Sequence, residues 1–275
     1  MVENEEVTYQ LTHQNPVDYS LITQERTEKL ELLIHLLGNS TSPIVLCGSR
    51  GVGKTTLLTV FQHQLNPSWQ TCLIKGRADL SVEQIETQLI ATIPDTQTVE
   101  RFFALLAEQN KKIVLIIENA GRLAPYLIST LIDYAAQYPL LKIIFVLTHD
   151  DLAIKTCSDS VIEDCHIIEI KPLSEAQCGD FLRHLALKST LKIPIHSISD
   201  SMIASLYQQT HGIPAKIIAQ LPMLSRPKKN VPTTGWFPII LLGLLTAWLV
   251  LWFLFGHNTP SLAPLNSLLK LLSDR

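Results

Sequence analysis

The stretch Gly48-Ser49-Arg50-Gly51-Val52-Gly53-Lys54-Thr55, with Thr56 next, sets two glycines around four residues and follows the second with Lys and Thr. That spacing is the phosphate-loop pattern, and each residue type in it has a physical task. Glycines let successive backbone N–H groups turn toward one anion. A helix beginning just after them aims the positive end of its dipole at the same anion. The Lys54 ammonium is placed to reach the β- and γ-phosphates of a bound phosphate chain, and the Thr55 hydroxyl to bind Mg²⁺.

Such a loop works only between a strand and a helix. Ile44-Val45-Leu46-Cys47 ahead of it reads as a buried strand, and Leu57, Leu58, Val60 and Phe61 behind it read as a helix. A second strand is expected over 71–75. Ile113-Val114-Leu115-Ile116-Ile117, ending at Glu118-Asn119, is a continuous aliphatic run, and 142–147 repeats the signal before Thr148. Runs of this kind belong to strands covered on both faces. A fifth strand is expected over 167–170.

Helical signals lie between the strands. Thr23 can cap a helix with Leu30, Leu33, Ile34 and Leu37 on one face and Gly38 at its end. Ser81…Gln84 and Ser174…Gln177 have capping-box spacing. Another helix is expected over 123–138, stopped by Pro139. This alternation predicts an α/β fold with a doubly wound parallel sheet and a ligand at the strand C-termini. Beyond Lys171-Pro172 only helices are expected, one over 200–210 and one opened by Pro214.

Composition narrows the setting. The net charge is −3 with no block of like charges, so no nucleic-acid partner is expected. Cys47, Cys72, Cys157, Cys165 and Cys178 form no CxxC pair and read as reduced, mostly buried thiols. Residues 236–255 carry no charge, a length that spans a bilayer core as a helix, with Trp236, Trp248 and Trp252 toward its ends. Arg226, Lys228 and Lys229 precede it, which places the N-terminal part in the cytoplasm by the positive-inside bias. The expected organisation is an N-terminal arm over 1–22, a nucleotide-binding domain over 23–170 and a helical lid over 171–221. A basic, proline-rich linker over 222–235, a transmembrane helix over 236–255 and a short tail over 256–275 complete it.

A five-strand core with its phosphate loop after the first strand, followed by a helical lid, resembles the AAA+ ATPases. Within them it looks most like the ExeA-type secretion ATPases and the ATPase domain of DamX-type envelope and division proteins. Lys171-Pro172-Leu173-Ser174-Glu175 and Gly212-Ile213-Pro214 match in order and spacing. The resemblance implies ATP and Mg²⁺ as cofactors, homo-oligomerisation, a protein partner and a place at the inner membrane. It assigns Glu118 to the metal and Asn119 to the position where the family carries a catalytic Glu. Asn119 can orient water but cannot accept a proton. Thr148 takes the γ-phosphate-sensing position. In the lid, Ala215 stands where the family carries Arg, with Lys216 next as a substitute. Arg101 and Arg122 stay open as a trans arginine finger. Two functions follow: an ATPase of envelope, secretion or division assembly, and a nucleotide-gated membrane scaffold that scarcely hydrolyses.

Overall fold

A computed structural model describes residues 23–94, 96–188, 198–224 and 237–255. The expected arm, most of the linker and the tail lie outside them. The chain divides into two units, Met1–Ser225 and Arg226–Arg275.

In the first unit, five parallel strands stand in the order β2-β3-β4-β1-β5. They are β1 (Ile44–Cys47), β2 (Trp69–Lys75), β3 (Lys112–Glu118), β4 (Leu141–Leu147) and β5 (His166–Glu169). The aliphatic runs take the middle, as expected of strands packed on both faces. Ile113 to Ile117 are all fully buried, as is Phe145 of β4. One apolar layer forms under α1 (Gln24–Asn39) and α2 (Lys54–Gln64), through Leu33, Leu57 and Phe61. The other forms under α3 (Val82–Ile90), α4 (Val99–Glu108) and α5 (Leu127–Gln137), through Ile85, Phe102 and Ile128.

Local chemistry sets the element ends. Thr23 caps α1 by accepting from the Arg26 amide, and Ser81 and Gln84 form the reciprocal box of α3. Helix α1 runs through Gly38 to Asn39, where the Ser40 amide closes it on the Leu36 carbonyl. Helix α5 begins at Leu127, four residues later than expected. Pro125 disfavours helical backbone at Ala124, and Tyr126 sits at φ 66°, so the chain turns twice before it can coil. A 3-10 turn, Ala120–Arg122, fills the interval after β3.

Helix α6 (His149–Ser158) follows β4, and after β5 come α7 (Glu175–Lys188), α8 (Asp200–Thr210) and α9 (Pro214–Leu224). These last three share their own apolar cluster, including Cys178, Phe181, Leu206 and Ile217. Helix α9 continues through Pro222 to Leu224. All five thiols are free. Cys157 alone is exposed, and burial pushes the Cys72 and Cys165 thiols up to about 11.

The second unit shows one helix, α10 (Phe237–Phe255). Its side chains are described from Gly243 to Leu254, and Leu244, Trp248, Trp252 and Phe253 are exposed. Among the described residues, no helix is long and apolar enough to cross a membrane.

Candidate nucleotide site

Strand β1 lies between β4 and β5, so the loop leaving its C-terminus emerges between the C-terminal ends of those two strands. Gly51 and Gly53 adopt left-handed φ of 79° and 108°. Neither tolerates a side chain. A Cβ on Gly51 would lie 2.7 Å from Ala215 Cβ, and one on Gly53 would lie 2.5 Å from Arg26 Nη1. Lys54 opens α2, and its ammonium donates to the carbonyls of Gly48 (2.6 Å) and Ser49 (3.1 Å). Burial lowers the pKa of this lysine, while Cys47 and Asp151 pull it back up. Val52 is fully buried and turns its side chain to the core.

Arg26, at the start of α1, braces the loop from beneath. Its Nη2 donates to the Val52 carbonyl at 2.8 Å. Burial lowers its pKa, with Glu25 acting in the opposite sense. A hydrogen bond from a charged donor contributes about 1.5–3 kcal/mol, reduced here by partial exposure. Arg26→Met keeps the apolar stem and loses the bond. It should weaken ATP affinity by roughly three- to tenfold, measured by titration with a fluorescent nucleotide. Unchanged affinity would show that the loop holds its shape without the brace.

Strand β3 supplies the side of the site that faces Thr55. Glu118 ends that strand, and its Oε1 accepts from Thr55 Oγ1 at 3.0 Å across 63 positions of sequence. The Gly76 amide donates to the Glu118 carbonyl at 2.6 Å, tying the ends of β2 and β3 together. A hydroxyl and a carboxylate are hard oxygen donors of the kind Mg²⁺ takes when phosphate supplies the rest. Among the described residues, no cluster of three or more His, Cys, Asp or Glu could hold a metal on its own. Asn119 follows at φ 52°, a conformation Asn tolerates better than most residues.

Thr148 caps α6. Its hydroxyl donates to Asp151 Oδ2 at 2.7 Å and accepts from the Asp151 amide at 3.1 Å. The hydroxyl expected to sense phosphate is therefore engaged in a capping box, and sensing would require it to change partners. His149 Nε2 meets Glu169 Oε1 at 3.1 Å, joining the C-terminal ends of β4 and β5 across β1.

These groups surround a cleft of about 820 Å³. Ser49, Arg50, Gly51, Gly53, Lys54, Thr55 and Thr56 line one wall, and Glu118, Asn119 and Thr148 another. Pro214, Ala215 and Ile218 of α9 also line it, and the Ala215 amide donates to the Gly51 carbonyl at 3.1 Å. Gly48 contributes its carbonyl to Lys54. Lys216 is exposed and lies outside the lining residues. Sequence reasoning missed Arg26 and Asp151 as parts of this site. Asp151 had a signal, since Thr148 and Asp151 have capping-box spacing with Asp in place of Glu. Arg26 had none.

No protein-family model matches the sequence, and no curated protein matches it. Solved structures do. Cdc6p of Pyrobaculum aerophilum aligns with a TM-score of 0.52 at 19% identity, over 76% of this chain and 65% of that one. The chain thus spans just under two thirds of the Pyrobaculum protein. A Walker-type ATPase of Pyrococcus abyssi aligns with a TM-score of 0.56 at 16% identity, over 84% of this chain and 74% of that one. Identities this low speak for the fold alone. Taken with the strand order, these likenesses show that the chain shares the five-stranded parallel α/β fold of these two proteins.

Proposed function

We propose that the chain binds ATP with Mg²⁺ in this cleft and uses the bound state to set the position of its lid. The Thr55–Glu118 hydrogen bond carries the reading. It brings a hydroxyl and a carboxylate together beside a lysine whose ammonium rests on loop carbonyls. On binding, Lys54 exchanges Gly48 and Ser49 for phosphate oxygens. The loop amides and the N-terminus of α2 take the rest of the anion, while Thr55 and Glu118 hold the metal.

Hydrolysis is the first reading for this fold, and Asn119 supports slow turnover. The residue can orient a water but supplies no base. The second reading, a nucleotide-gated scaffold, rests on that same Asn. We place the chain at a membrane, anchored through 236–255. The uncharged run and the exposed Leu244, Trp248 and Trp252 of α10 support this. Assembly into homo-oligomers, a protein partner, and a role in envelope, secretion or division assembly follow from the resemblance alone.

The test is nucleotide titration of the full chain in detergent. ATP and ADP should bind with Mg²⁺ present, and chelating the metal should weaken ATP by about tenfold or more, because it removes the charge that Thr55 and Glu118 fix against the phosphates. Indifference to both nucleotides with Mg²⁺ present would overturn the reading.

A further inference from the structure

Six arginines fall among the described residues. Four spend their guanidinium on a protein acceptor: Arg26 on the Val52 carbonyl, Arg77 on Asp79, Arg101 on Glu108 and Arg183 on Asp180. The other two, Arg50 and Arg122, make no side-chain hydrogen bond or ion pair among the described residues, and both line the cleft. A solvated surface arginine is ordinary; two unpaired ones converging on one cleft call for an anion.

Charge shows what the cleft lacks. Arg50, Lys54 and Arg122 face it with three positive charges, and Glu118, Asp150 and Asp151 with three negative ones. The balance is even, so a triphosphate that stays anionic after taking up one Mg²⁺ needs every cation to point at it. The lid offers none, since it presents Pro214, Ala215 and Ile218.

Position separates the two arginines. Arg50 stands on the loop next to Gly51, on the side that meets the lid. Arg122 ends the 3-10 turn that follows Glu118 and Asn119, on the metal side. That turn is held firmly. The Arg122 amide donates to the Asn119 carbonyl at 2.9 Å, and the Leu123 amide to the Ala120 carbonyl at 3.1 Å. Lys155, only 3% exposed, donates to the Leu123 carbonyl at 2.5 Å and the Ala124 carbonyl at 3.4 Å. Asp151 packs against Gly121 too closely for any Cβ there. The backbone beneath Arg122 is fixed while its planar fork is left unengaged, an arrangement suited to bidentate phosphate contact.

We propose that Arg122 grips the terminal phosphate of ATP bound in its own chain, acting in cis and making the cleft discriminate ATP from ADP. This rests on the ATP-binding reading above. Arg101 does not line the cleft and has no such part.

The test compares ATP and ADP affinities of the full chain with those of Arg122→Ala, Arg122→Lys and, as a control, Arg101→Ala. Arg122→Ala should weaken ATP by about tenfold or more and leave ADP within about twofold. Arg122→Lys should recover part of the loss, and Arg101→Ala should match the parent. Equal losses for ATP and ADP, or no loss at all, would overturn the assignment while leaving nucleotide binding intact. A parent that binds neither nucleotide overturns the ATP-binding reading itself. Mixing Arg122→Ala with Lys54→Ala chains decides cis from trans. Binding equal to the sum of the separate variants supports cis action, and a gain above that sum would put Arg122 in a neighbouring chain and refute it.

Discussion

Lys54→Ala should abolish useful ATP binding. The lysine is partly buried, and on binding its ammonium trades the Gly48 and Ser49 carbonyls for phosphate oxygens, a contact that alanine cannot make. Truncating one partner of a desolvated charged contact costs about 2–5 kcal/mol. Affinity should therefore fall by roughly thirty- to a thousandfold or more, with hydrolysis lost in step. Because the substitution also frees the loop, thermal unfolding without nucleotide is the necessary companion measurement. Lys54→Arg keeps the charge and replaces a compact point with a planar fork. It should fall between the two in affinity. ATP binding by Lys54→Ala within threefold of the parent would mean that the loop does not cradle phosphate in this chain.

Asn119→Glu should raise turnover. A positioned general base contributes about 10²–10⁴ in rate, and Asn119, beside Glu118 at the end of β3, has no basic group to accept a proton. The gain comes at a structural cost. Residue 119 adopts φ 52°, where Glu is less comfortable than Asn by about 1–2 kcal/mol, and a second carboxylate beside Glu118 adds repulsion. Asn119→Asp separates these effects, since Asp tolerates the conformation but has the shorter reach. Single-turnover hydrolysis with excess protein is the measurement. A variant no faster than the parent would show that Asn119 is not what limits the reaction. A parent that already turns over several times per second would remove the scaffold reading.

What could be read ahead of the structure follows from how far each signal reaches. Runs such as Ile113 to Ile117 and caps such as Ser81 with Gln84 are set by neighbours within a few residues, and both appear as read. The start of α5 was misplaced because the aliphatic pattern after Leu123 hid the veto of Pro125. The strand order was not legible, because alternation of strands and helices leaves several orders open. That order is what lets Thr55 meet Glu118. Arg26 was invisible for a similar reason. As one polar residue on an amphipathic helix it looks like solvent-facing surface, and only the packing of α1 against the loop turns it inward. At Thr148 the position was readable but the commitment of the hydroxyl was not, since a sensing group and a capping group are the same residue type.

The contact between Gly51 and Ala215 has a consequence for how this chain can be dissected. The amide of one lid residue reaches the carbonyl of one loop residue, and no side-chain atom takes part in that hydrogen bond. Any shift of the loop on nucleotide binding would be felt, through that bond, at the first turn of α9. Alanine scanning of the helix is blind to that hydrogen bond, because it leaves the peptide in place, whereas Gly51→Ala would set a Cβ against Ala215 and strain it.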